Sequence, residues 1–140
     1  MIYIGADHGG YLLKKEITDY FDKNGIQYQN LGTDTGDSVD YPDYAKAVCQ
    51  NVLQSPENFG ILICKTGVGM SIAANKIRGI RAALCKDVEV ATLCRQHNNA
   101  NVLCLGARDL DAIEAIKMVK AFLYAQFEGG RHQKRVDKFE

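Results

Sequence analysis

A cysteine, Cys64, closes the apolar run Gly60-Ile-Leu-Ile-Cys64 and is followed at once by Lys65, Thr66, Gly67, Val68 and Gly69. A thiol at a helix start with a cation beside it is more often thiolate. Thiolate serves as a nucleophile or as a general base. The glycine loop leaves backbone N–H groups free, and these favour an anion together with the helix dipole. The plainer reading is an inert strand-end thiol on a tight turn that binds nothing. Two nucleotide motifs fail at this loop. A P-loop needs Gly, four residues, then Gly-Lys-Thr. After Gly60 and four residues, Lys65 stands where the second Gly belongs. A dinucleotide fingerprint needs a Gly three residues after Gly69, and position 72 is Ile.

Three other stretches carry polar chemistry. Asp7-His8-Gly9-Gly10 reads as a helix start capped by Asp7, or as a His placed to bind phosphate. His97-Asn98 reads by itself as a helix end. Arg131 and Arg135 are four apart and share one face if helical, with His132 and Lys134 beside them. They suit a bidentate phosphate clamp. The alternative is a solvated basic tail.

The elements that must position these groups alternate along the chain. Met1–Ala6, Gln27–Leu31, Gly60–Cys64, Arg81–Cys85 and Asn101–Leu105 read as strands. Helical patterns follow over Tyr11–Lys23, Tyr44–Leu53, Gly69–Lys76, Val88–Arg95 and Leu110–Phe127, with a polar loop from Asp37 to Asp43. Five strands alternating with five helices imply an α/β fold. It is a single-domain, Rossmann-like three-layer sandwich with a five-stranded parallel sheet and helices on both faces. Ligands in such sheets bind beyond the carboxyl ends of the strands, where the strand order reverses. Asp7–Gly10, Cys64–Gly69 and Gly106–Arg108 all follow strands. His97 and Asn98 lie before the fifth strand, at its opposite end.

Bulk properties exclude several classes. The chain has 140 residues, with 17 Lys plus Arg against 17 Asp plus Glu, and zero net charge argues against a nucleic-acid or membrane-surface binder. No apolar run has the length of a membrane span, and Met1 leads straight into Ile2-Tyr3-Ile4 without a signal-peptide pattern. The five cysteines form no CxxC pair and no zinc pattern with the three histidines. Reduced thiols in a cytoplasmic protein follow, with Cys49, Cys85, Cys94 and Cys104 as small hydrophobes.

Taken together, Gly5-Ala-Asp-His-Gly-Gly10, Asp40-Tyr-Pro-Asp-Tyr-Ala45, Gly60 to Lys76, Gly79-Ile-Arg-Ala82, Arg95-Gln-His-Asn98, Asn101 to Arg108 and Gln126 to Val136 resemble the ribose-5-phosphate isomerase B family. Its relatives include galactose-6-phosphate isomerase subunits and allose-6-phosphate isomerases. The resemblance covers the chain from end to end. It implies one sugar-phosphate isomerase domain over 1–140, with the tail 129–140 completing a site.

The resemblance implies roles residue by residue. Cys64 is the base that moves a proton between sugar C2 and C1. His97 is the acid that opens the sugar ring, and Thr66 assists. Backbone N–H groups of Lys65, Thr66, Gly67, Val68 and Gly69 hold the enediolate. Asp7, His8, Tyr41, Asn98 and Arg108 contact substrate, and Arg131 and Arg135 hold its phosphate. The family works without metal or organic cofactor. It forms homodimers or dimers of dimers whose sites are shared between subunits, so His97 enters the neighbour's site. One residue departs from the pattern: most relatives carry Gly where this chain has Lys65. A side chain there is strained if the backbone is left-handed. Three alternatives stand beside this reading: a six-carbon sugar-phosphate isomerase, a non-catalytic sugar-phosphate-binding subunit, and a nucleotide-binding module, the last disfavoured by the failed motifs.

Overall fold

The computed structural model describes residues 1–140. Five parallel strands form one sheet: β1 (Ile2–Ala6), β2 (Tyr28–Asn30), β3 (Phe59–Cys64), β4 (Ala82–Leu84) and β5 (Val102–Gly106), in the order β2-β1-β3-β5-β4. Six helices accompany them: α1 (Tyr11–Lys23), α2 (Tyr41–Val52), α3 (Val68–Asn75), α4 (Val88–Gln96), α5 (Ala112–Tyr124) and α6 (Arg131–Val136). No helix is long and apolar enough to cross a membrane.

Strand side chains alternate between the faces of a sheet, and both faces here are covered. Ile61 and Ile63 of β3 pack with Leu13, Ile17 and Phe21 of α1 and Met118, Val119 and Phe122 of α5. Leu62 and Cys64 point the other way, among Ala45, Val48 and Cys49 of α2 and Met70 and Ala74 of α3. The three-layer sandwich expected from the alternation is therefore present. The chain passes from β1 outward to β2, then returns to β3 on the other side of β1. The reversal of strand order falls between β1 and β3. It puts Asp7–Gly10 and Cys64–Gly69 at the mouth of one crevice, where such sheets bind ligands.

Several expectations are corrected. Asp7 does not cap α1. The cap position is Gly10, and the Asp7 carboxylate turns back to accept the Gly9 N–H at 2.9 Å. The close approach of α1 to β3 explains the glycine, since a Cβ on Gly10 would stand 2.5 Å from the Ile63 carbonyl oxygen. The loop around Pro42 ends early, because α2 begins at Tyr41 with Pro42 in its first turn, where its missing N–H costs nothing. The expected long helix from Leu110 to Phe127 is confined to Ala112–Tyr124. The basic tail forms a sixth helix, α6, so Arg131 and Arg135 do share a helix, entered through Gly129 and Gly130, both at positive φ.

Candidate active site

The strand-end site is built from two turns. After β1, the chain bends so that the Asp7 N–H donates to the Ile63 carbonyl at 3.2 Å, which ties the first turn to β3. Asp7 is buried. His8 is exposed, and its Nδ1 accepts the Val39 N–H at 3.2 Å. That bond puts the imidazole proton on Nε2, the end left for a ligand. Asp7, His8, Gly9, Lys65 and Arg108 line one groove of about 900 Å³, large enough for a small organic anion. The Arg108 N–H donates to the Lys65 carbonyl at 2.9 Å, so the β5 turn is fastened to the β3 turn.

After β3, Cys64 is 5% exposed, and its Sγ accepts the Gly67 N–H at 3.1 Å. The amide at the entry to α3 thus points at the sulfur. The other thiols stand differently. Burial pushes Cys49 up to about 12 and pushes Cys104 up as well. The Cys85 thiol donates a hydrogen bond to Cys94 Sγ at 3.8 Å. All five cysteines are free.

The loop behind Cys64 divides its amides. Gly67 serves the thiol, and the Val68 N–H donates to Thr66 Oγ1 at 3.3 Å. The N–H groups of Lys65, Thr66 and Gly69 donate to no protein acceptor. Of the five amides expected to meet an anion, three are free to do so. Tyr41 closes over this turn: a Cβ on Gly69 would stand 2.6 Å from the Tyr41 ring.

Lys65 is exposed and does not have a positive φ; Gly67, at φ 78°, takes the left-handed position instead. The strain considered for Lys65 is absent. Replacing it with Gly therefore relieves nothing and adds backbone freedom to the unfolded chain. Lys65→Gly should lower stability by about 0.5–1 kcal/mol and should not raise turnover. A urea melt and a steady-state assay of the pair check this, and a faster Gly variant would show the side chain to be an obstruction.

His97, Asn98, Arg131 and Arg135 are not brought to this site. His97 follows α4, on the amino side of β5, whereas Gly106 at the far end of β5 pairs with Cys64. The five residues of β5 alone separate the two levels by about 13 Å of strand rise. His97 instead stacks on His132 of α6, ring centroids 4.3 Å apart and planes 12° from parallel. Arg131 and Arg135 flank that histidine on α6. Asn98 lines a separate groove of about 660 Å³ with Asn75, Arg78 and Phe139. Glu128 completes the His97 cluster, with Oε1 3.6 Å from His132 Nε2 and 3.9 Å from His97 Nε2. Burial and the neighbouring Arg131 charge hold the His132 imidazole below the ordinary histidine range. Sequence reading passed over Glu128. Its signal was the four-residue spacing to His132, hidden by the intervening Gly129-Gly130. The chain thus carries two polar clusters at opposite ends of its sheet: a thiol with free amides beside it, and a histidine pair with two arginines.

The family model for ribose/galactose isomerases matches residues 2–139. The ribose-5-phosphate isomerase B of Escherichia coli is 47% identical over 136 residues, covering 97% of this chain and 91% of that one. A crystal structure of a Thermotoga maritima ribose 5-phosphate isomerase is 49% identical, with a TM-score of 0.96 over 99% of this chain and 95% of that one. The Mycoplasma genitalium ribose-5-phosphate isomerase B, solved with bound ribulose-5-phosphate, is 47% identical with a TM-score of 0.93, over 98% and 91% of the two chains.

Proposed function

This chain belongs to the ribose/galactose isomerase family, and on that premise we infer that it is an aldose–ketose isomerase interconverting ribose 5-phosphate and ribulose 5-phosphate, with Cys64 as its base. The Cys64 thiolate removes the proton from C2 of the open-chain aldose and returns it to C1. The negative charge that develops on the sugar oxygens meets the free N–H groups of Lys65, Thr66 and Gly69, fixed donors of the oxyanion-hole kind. The observation that carries this reading is the meeting of a thiol and unpaired amides in one turn at the β1–β3 reversal. Asp7, His8, Tyr41 and Arg108 surround the sugar, and His8 offers its Nε2–H.

The His97 half-site serves a neighbouring copy. His97 opens the ring there, Asn98 orients the sugar, and Arg131 and Arg135 take the phosphate. A homodimer with shared sites, or a pair of such dimers, follows. Its support is the isolation of His97 from Cys64 within one chain, together with the apolar residues exposed beside the Cys64 loop: Val68 and Ile72 on one face of α3, and Leu84. Free thiols suit a cytoplasmic enzyme.

Ribose 5-phosphate, allose 6-phosphate and galactose 6-phosphate assayed side by side test the reading. Ribose 5-phosphate should be turned over fastest, and in D2O the ribulose 5-phosphate formed should carry deuterium at C1. Turnover of none of the three would favour a non-catalytic subunit. Arg131→Ala and Arg135→Ala should each raise KM roughly tenfold or more, the worth of a charge-assisted hydrogen bond, with kcat moved less. An unchanged KM in both would remove the arginines from phosphate binding.

A further inference from the structure

We propose that Lys14 is a positioning residue for His8, which it holds in one tautomer through the loop between β2 and α2. Lys14 lies in the first turn of α1, and its side chain is only 2% exposed. Both facts oppose an ammonium: burial strips its water, and the positive end of the helix dipole repels it. Its Nζ donates to Asn30 Oδ1 at 2.8 Å and to Asp34 Oδ1 at 2.6 Å. The Asn30 amide also donates to Asp34 Oδ1, at 2.8 Å. The Lys14 bond, with the Asn30 bond behind it, holds the Asp34 carboxyl below the ordinary carboxylate range. A buried ion pair adds little net stability. What this one fixes is the course of the loop.

That loop runs from Leu31 to Asp40. Its first part stays beside β1: the Leu31 N–H donates to the Ile4 carbonyl at 2.9 Å, and the Thr33 N–H to the Ala6 carbonyl at 2.8 Å. Asp34 comes next, tied to Lys14. Thr35 and Asp37 then bond only to each other. The next hydrogen bond from the loop to another part of the chain is that of the Val39 N–H to His8 Nδ1, at 3.2 Å. The Lys14–Asp34 pair is therefore the last tie before the amide that orients His8. Without it, the exposed run from Asp34 to Ser38 is free to move, and the Val39 amide moves with it. A neutral imidazole that loses the donor at Nδ1 populates both tautomers.

The consequence for turnover rests on the sugar contact given to His8. In the second tautomer Nε2 carries no proton, so the donor it offers to a sugar oxygen is lost from that fraction of the molecules.

The test reads the ring nitrogens of His8 by long-range nitrogen–proton NMR, in the full chain without substrate, at about pH 8.5, where imidazole is neutral. The unaltered protein should show Nδ1 bare and Nε2 protonated. In Lys14→Met and in Asp34→Ala the two nitrogen signals should move toward each other, as mixed tautomers do. His97 and His132, at the other end of the sheet, should keep their signals. Asp34 is 67% exposed, so its alanine form keeps the fold and decides the matter if Lys14→Met does not fold. Asp37→Ala removes the same charge from the same loop without cutting the tie, and should leave His8 unchanged. An unchanged His8 in Asp34→Ala, an equal change in Asp37→Ala, or a shift shared by all three histidines would overturn the proposal. Turnover is read separately. In Asp34→Ala, KM for ribose 5-phosphate should rise roughly three- to tenfold, the worth of one neutral hydrogen bond, with kcat moved less. A tautomer change with KM unmoved would leave the positioning role standing and take His8 out of sugar binding.

Discussion

Cys64→Ala should lower turnover by about 100-fold or more, with KM for ribose 5-phosphate moved little. The sulfur is the only group of the β3 turn able to take and return a carbon-bound proton. The amides donate, the Thr66 hydroxyl is too weak a base, and a lysine ammonium donates only. Removing the thiol leaves the free Lys65, Thr66 and Gly69 amides and the Asp7–His8–Arg108 groove in place, so substrate should still bind. Cys64→Ser sharpens the argument. A hydroxyl can accept the Gly67 N–H as the sulfur does, but it does not ionise near neutral pH, so the serine form should be as slow as the alanine form. Cys49→Ala is the control. Cys49 lies in the α2–β3 core with its thiol pushed up to about 12 by burial, and its loss should not slow turnover. Near-normal rates in both Cys64 variants would remove the thiol from the mechanism.

How far these roles were readable before the fold was known follows from the physics of each element. The sheet was legible because its signal is local. Ile61-Leu62-Ile63-Cys64 is uniformly apolar, as a strand covered on both faces must be, and the alternation of strands with amphipathic helices dictates parallel pairing. Position at a strand end put Asp7, Cys64 and Arg108 at one edge of the sheet, and the register of β1, β3 and β5 places them there. Pro42 misled, since Pro reads as a loop although the first helical turn accepts it equally well. Sequence left open whether position 65 is left-handed, and the structure puts the left-handed residue at Gly67, where the chain turns into α3. Sequence could not say which amides are spoken for, because the Gly67–Sγ and Val68–Oγ1 bonds depend on the exact course of the turn. Glu128 was illegible for another reason: its partners His97 and His132 are joined by tertiary packing of α4 against the residues leading into α6.

Mixing Cys64→Ala with His97→Ala protein should restore activity that neither has alone. Each site of the proposed dimer takes its base from one chain and its ring-opening histidine from the other. A hybrid dimer then has one site in which both groups are intact and one in which both are missing. With random exchange of equal amounts, half the dimers are hybrids, so roughly a quarter of all sites should work. The geometry makes this the sharpest consequence of the structure. Parallel strands fix direction, Cys64 pairs with Gly106 at the carboxyl end of the sheet, and His97 enters from beyond Val102 at the amino end. No rotation of side chains closes a separation of about 13 Å of strand, whereas a two-fold partner can bring the amino end of one sheet against the carboxyl end of another. Val68 and Ile72, exposed beside the base, offer the apolar surface for that approach. Exchange is verified by mass spectrometry of differently tagged chains. Activity should then rise with the hybrid fraction, and ribose 5-phosphate is the substrate to use because its ring must be opened. Complete exchange without recovery would mean that His97 does not act in the partner's site, and the two half-sites would need separate explanations.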